Sequence, residues 1–189
     1  MGKEVSMYNY KINPNIMTDV RIGNLIRLEL GCGPKDKRIK GFYGLDIDAS
    51  LEPDIVCNLE EGTIPLPSDT VKYIWADYVM EHLSNVLDIM QEIWRVCVNG
   101  ALVYIGVPEY RWVGAAKDPT HKTQFCKDSY KYWDSRVNTV PHYGHTCKFD
   151  LLRLDIRYKE GITEEFKKME DYYSNIIEKL NFYLQTIKE

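Results

Sequence analysis

The chain has 189 residues, 44% of them apolar and 28% charged, which fits one folded domain with its own core and excludes a disordered chain. Its formal charge of -4 argues against a domain built to hold nucleic acid, and no apolar run reaches the length of a membrane span. Five cysteines, widely spread and without a CxxC pair, read as free thiols of a reducing cytoplasm rather than as a disulfide framework.

Residues 1–22 are polar and aromatic without a clear period and read as an N-terminal arm; their first stretch has no apolar core and is not read as a secretion signal. Residues 25–30 (LIRLEL) form a first strand that runs into Gly31-Cys32-Gly33-Pro34, and residues 42–47 and 54–57 form two more. Residues 62–70 are rich in breakers and form a loop, after which 71–76 (VKYIWA) is a fourth strand. Ser84 is a candidate cap for a helix in which Val86, Leu87, Met90, Ile93, Trp94 and Cys97 recur at helical spacing, with Asn99-Gly100 as its stop. Residues 101–107 (ALVYIGV) are almost continuously apolar, as in a parallel strand covered on both faces. Residues 108–147 concentrate histidines and aromatics and read as a substrate-side insertion or cap, with a helix over about 127–137. A strand follows over 149–158, then a helix from Thr163 with Phe166, Met169, Tyr173, Ile176 and Ile177 on one face, then an antiparallel strand over 180–188. No repeat or internal linker divides residues 1–189, which read as one domain.

The sharpest local feature is the strand that ends in Gly31-x-Gly33. Glycines there let the backbone turn tightly and pass close to a ligand, although two glycines alone also fit an ordinary tight turn. Glu29 stands just before the turn. Asp46 ends the next strand, where a carboxylate can accept both hydroxyls of a ribose.

Together, LELGCG (28–33), GLDID (44–48), CNLE (57–60), IPLPSDTVKYIWADYVMEH (64–82) and EIWRVCVNGALVYIGVP (92–108) resemble the class I S-adenosylmethionine-dependent methyltransferases. The resemblance is nearest to a small branch with a shortened first loop and a D-x-T-H element before an aromatic-rich segment, matched here by DPTHKTQF (118–125). It implies an α/β, Rossmann-like fold: a mostly parallel seven-stranded sheet with an antiparallel last strand and a reduced first helix. S-adenosyl-L-methionine is the implied cofactor and S-adenosyl-L-homocysteine its product. Glu29, Gly31, Cys32 and Gly33 would shape the methionine end of the site, and Asp46 would hold the ribose. Ile47 would pack on the adenine, with Asn58 and Leu59 beside it. Asn58 stands where the family usually has an acid. Ala76 and Asp77 would lie under the methionine moiety.

The interval from Gly33 to Phe42 is too short for a full helix, which weighs against a dinucleotide site that needs a helix N-terminus at its pyrophosphate. An NAD-linked oxidoreductase is therefore the lesser alternative. A non-catalytic binding domain of the same fold is the other. Lys35, Lys37, Arg38 and Lys40 read either as a solvated basic turn or as a grip on an anionic substrate.

On the substrate side stand His82, Tyr110, Trp112, His142 and Tyr143, with a small molecule as the expected acceptor. His121 reads as a wall of the active site, a structural histidine or a general base. Cys32 reads as a small apolar filler rather than a nucleophile. His121, Cys126, His142, His145 and Cys147 have no zinc-finger spacing, so no metal is assigned from the sequence.

Overall fold

A computed structural model describes residues 10–137 and 144–188, so His142 and Tyr143 lie outside the described residues. A central sheet carries the fold. It runs β1 (Lys11–Ile12), β4 (Ile55–Val56), β3 (Tyr43–Asp46), β2 (Ile26–Leu30), β5 (Val71–Asp77), β6 (Cys97–Pro108), β8 (Ile177–Thr186) and β7 (Phe149–Tyr158) from edge to edge. Strands β2 to β6 are mutually parallel, whereas β1 on β4 and β8 on both β6 and β7 are antiparallel.

The sheet has eight strands among the described residues, against the seven expected. The extra one comes from the segment read as an arm. Lys11 and Ile12 pair with Val56 and Ile55, and α1 (Pro14–Arg21) follows. Asn13 starts this helix by accepting from Asn15 N, and Pro14 occupies a first-turn position where its missing N–H costs nothing. Between β2 and β3 there is only a 3-10 turn, Lys35–Lys37.

The core lies on one side of the sheet. Along β5, Ile74 and Ala76 are fully buried while Tyr73, Trp75 and Asp77 point the other way and are half-buried, the alternation of a pleated strand. The helix α2 (Val86–Val96) joins this core through Val86, Ile89, Met90, Ile93 and Val96; of the face read from the sequence, Leu87 and Trp94 are only partly buried and Cys97 belongs to β6. Asn85, not Ser84, is its N-cap residue, because the Ser84 hydroxyl donates to Glu60 Oε2 at 2.6 Å. It ends at Val96, earlier than Asn99-Gly100, because β6 pairing already begins at Cys97 opposite Val71.

The opposite face carries aromatic side chains. Trp75 stacks on Tyr104 at 3.8 Å between ring centroids, Tyr183 lies 5.2 Å beyond, and the Arg153 guanidinium covers Tyr183 at 4.3 Å. The connections from β2 to β3, β3 to β4 and β4 to β5 contain only single 3-10 turns, so none of them sends a long helix over these rings.

Two expected helices are much shorter. Residues 127–137 form only the turn Ser129–Tyr132, because Trp133 and Ser135 exchange backbone hydrogen bonds with Phe149 at 2.8 Å and draw the chain toward β7. The helix from Thr163, α4 (Glu164–Lys167), keeps its Thr163 cap but stops after one turn. Glu170 and Asp171 are held by Lys127 at 2.6 and 2.8 Å, and Ile177 already belongs to β8. The remaining helix, α3 (Val113–Lys117), follows β6.

Candidate active site

Chain order reverses between β2 and β5, which is where ligands of open parallel sheets bind, outside the carboxyl ends of the strands. A cavity of about 370 Å³ lies there. Gly31 after β2, Leu45, Asp46 and Ile47 at the end of β3, and Cys57, Asn58 and Leu59 after β4 form one wall. Tyr78, Val79, His82 and Leu83 after β5 form the other, with Glu60 and Lys122 beside them.

The glycine loop is shaped by left-handed backbone at both glycines, with φ of +62° at Gly31 and +59° at Gly33. At Gly31 a Cβ would come within 2.9 Å of Val79 Cγ2, so the loop lies directly against the segment after β5. At Gly33 nothing stands within 4 Å of that position, and its N–H and C=O are both engaged, by Asp46 and by Arg38. Arg38 ties the loop down, donating to Gly33 O at 3.1 Å and to the carbonyls of Leu51 and Glu52. It is thus committed internally, which removes it from the set of candidate anion-gripping cations.

Asp46 accepts from Gly33 N through Oδ2 at 2.9 Å and from Asp48 N through Oδ1 at 3.0 Å. An ionised carboxylate has about four acceptor positions, so about two remain for a vicinal diol. Next to it Ile47 is 64% exposed, a large apolar side chain facing water unless a flat apolar group covers it. Asn58 spends one lone pair of its amide oxygen on Glu60 N at 3.1 Å. Leu59 is buried. These features fit the ribose and adenine of S-adenosylmethionine.

Other residues expected at the site have different surroundings. Glu29 is buried, and its Oε2 accepts from Ile39 N at 2.9 Å, so the carboxylate holds the 35–40 segment; burial raises its pKa above the ordinary carboxylate value. Cys32 faces inward against Gly44 and is buried, and loss of water pushes its thiol up to about 11. Ala76 is fully buried in the sheet. Asp77 forms an ion pair with Lys179 at 2.5 Å and lies 3.1 Å from the Tyr104 hydroxyl. None of these four, nor Gly33, lines the cavity, and neither do Tyr110 and Trp112 on the segment after β6. His121 also stands outside it, 4.9 Å from the His82 ring.

The sequence reading missed Tyr78, Glu60 and Lys122. Tyr78 has a left-handed backbone, φ 53°, which is rare for a side chain of its size and recurs at functional sites. Its N–H donates to Gly106 O at 2.8 Å, Arg157 donates to its hydroxyl at 3.0 Å, and Lys179 lies 4.2 Å over its ring. Lys122 pairs with Glu60 at 2.7 Å. No local pattern marks these residues, since each depends on a partner distant in sequence.

The turn Met80–His82 is joined to the 118–123 segment at several points. Glu81 O accepts from Lys122 N and Thr123 N, and Thr123 Oγ1 donates to Leu83 O at 2.6 Å. Glu81 itself is buried, and desolvation pushes its carboxyl up to about 7, helped by the Asp77 charge.

The chain matches no protein-family model and no curated protein. Its fold does match solved structures. A SAM dependent methyltransferase from Archaeoglobus fulgidus superposes with a TM-score of 0.56 at 14% identity, over 91% of this chain and 93% of that one. One from Mesorhizobium loti gives a TM-score of 0.52 at 12% identity, over 91% and 96%. The [4+2]-cyclase SpnF gives 0.51 at 13% identity, over 94% and 81%. Among the described residues no helix is long and apolar enough to cross a membrane. The chain therefore has the fold of S-adenosylmethionine-dependent methyltransferases.

Proposed function

We propose that this protein is an S-adenosylmethionine-dependent methyltransferase acting on a small-molecule acceptor. The observation that carries the reading is Asp46 at the carboxyl end of β3, with acceptor capacity for a diol, beside exposed Ile47 in a cavity that Gly31 also lines. When bound, S-adenosylmethionine supplies an electrophilic sulfonium methyl that an acceptor displaces in line, leaving S-adenosylhomocysteine.

The chain's own task is then binding and alignment. Asp46 orients the ribose, Ile47 and Leu59 sandwich the adenine, and Asn58 meets its edge through the remaining amide lone pair. Gly31 and Gly33 let the backbone approach the methionine end. The acceptor side is formed by Tyr78, His82 and Lys122. Holding the acceptor about 3–3.5 Å from the methyl supplies most of the rate advantage, since no strong base is required unless the acceptor must lose a proton first.

Calorimetric titration with S-adenosylhomocysteine tests the reading: saturable one-to-one binding supports it, and no detectable affinity in the intact protein overturns it. A non-catalytic binding domain of the same fold would bind the ligand but release no methylated product from a panel of small acceptors.

A further inference from the structure

Glu81 is 1% exposed, and neither of its carboxylate oxygens has a hydrogen-bond partner among the described residues. A buried carboxylate in that state is costly, and proteins resolve it by protonating the group, by pairing the charge or by coordinating a metal. Two histidines stand beside it, and one ligand atom from each of Glu81, His82 and His121 falls within 4.8 Å of the others.

The hydrogen bonds around the two rings fix their tautomers. Thr120 Oγ1 donates its only hydrogen to Asp118 Oδ1 at 2.6 Å, so at its 2.9 Å contact with His82 Nδ1 it must accept, and His82 carries the proton on Nδ1. His121 Nδ1 contacts Ala115 O at 2.8 Å, and a carbonyl can only accept, so His121 is also protonated on Nδ1. A neutral imidazole protonated on Nδ1 keeps its lone pair on Nε2. Metal-bound histidines have this arrangement, one nitrogen fixed by an outer hydrogen bond and the other free to coordinate. The nearest further carboxylate, Asp118 Oδ2, lies 3.8 Å from His121 Nε2, too far for a hydrogen bond. The neighbouring cation Lys122 is engaged by Glu60, and Lys179 by Asp77.

We propose that Glu81, His82 and His121 bind a divalent transition-metal ion at the edge of the pocket. Two imidazoles and one carboxylate suit zinc, manganese, iron or cobalt rather than magnesium or calcium, which take oxygen ligands. Three protein ligands leave a coordination position open. His82 belongs to both the cluster and the cavity lining, which puts the ion site beside the acceptor side. If the methyltransferase reading is correct, on which this step alone rests, the ion holds an oxygen of the acceptor in line with the methyl. The full site was not legible in the sequence, because Glu81-His82 and His121 come from separate segments that only the fold brings together.

The test uses the intact protein, stripped with a chelator and returned to chelator-free buffer. Calorimetric titration with zinc chloride is expected to show one ion per chain. His82→Ala, His121→Ala and Glu81→Gln are each expected to weaken binding at least about tenfold. His145→Ala, whose imidazole contacts Asp88 on α2, should leave it unchanged. Absence of stoichiometric binding by the folded wild-type protein overturns the proposal, as does binding that all three substitutions leave within twofold. Should the variants fail to fold, cobalt(II) absorption of the wild-type protein decides. Visible bands of a nitrogen and oxygen ligand set support the site, and a thiolate charge-transfer band assigns the ion to cysteines and overturns it. S-adenosylhomocysteine titrated into the same metal-free protein reads the cofactor pocket separately, so failure of one reading is distinguishable from failure of the other.

Discussion

The backbone N–H of Gly33 donates to the Asp46 carboxylate at 2.9 Å, so the loop after β2 and the acid at the end of β3 form one unit. Removing the carboxylate frees the loop as well as deleting the acceptor for a ribose. Asp46→Ala is therefore expected to weaken S-adenosylhomocysteine binding at least about tenfold, since hydrogen bonds to a charged group contribute about 1.5–3 kcal/mol each. Calorimetry on the variant checks this, and an unchanged affinity would place the ribose elsewhere.

The two loop glycines should respond differently to alanine. Both have a left-handed backbone that costs an L-residue about 1–2 kcal/mol. Only at Gly31 would the new methyl also meet Val79, at 2.9 Å. Urea unfolding should rank Gly31→Ala as the less stable variant. Equal stability would mean that Val79 yields at little cost, and the reverse order would overturn the contact as the deciding difference.

Cys32 should be a poor nucleophile despite its position in the loop. With its pKa raised to about 11 by burial, the thiol stays protonated at pH 8, and its thiolate fraction is roughly a hundredfold below that of a free cysteine. Timed alkylation with iodoacetamide, followed by peptide mapping, should find Cys32 modified far more slowly than a model thiol at that pH. The rate should rise as pH approaches the raised pKa.

Lys179 is buried, and its ammonium lies 2.5 Å from Asp77 and over the Tyr78 ring. Lys179→Met keeps much of the side-chain volume but leaves Asp77 without its counter-charge. A loss of about 1.5–3 kcal/mol is expected in chemical denaturation. Because Tyr78 lines the cavity, the same variant should also bind S-adenosylhomocysteine more weakly than wild type.

The parallel part of the sheet was legible because its strands announce themselves locally: LIRLEL before the glycines, ALVYIGV as an apolar run, and α2 through its repeating Val86, Met90 and Ile93. Asp46 was legible by its place at a strand end. What escaped depends on contacts between distant segments. β1 is two residues long and exists only because Val56 and Ile55 are there to pair with it. The segment 127–137 has helical spacing, yet Phe149 competes for its backbone groups and wins. Nothing local in the sequence marks Glu81, whose significance comes from a burial that leaves its carboxylate without a partner.

The stacked rings of Trp75 and Tyr104 give the molecule an intrinsic optical reporter. Trp75 sits on the sheet face opposite the buried core, next to a strand end that leads directly into Asp77 and Tyr78. Its fluorescence thus senses the polarity and mobility of that face without any label. In a variant with Trp94, Trp112 and Trp133 replaced, Trp75 would be the single tryptophan and its emission would follow that face alone in real time.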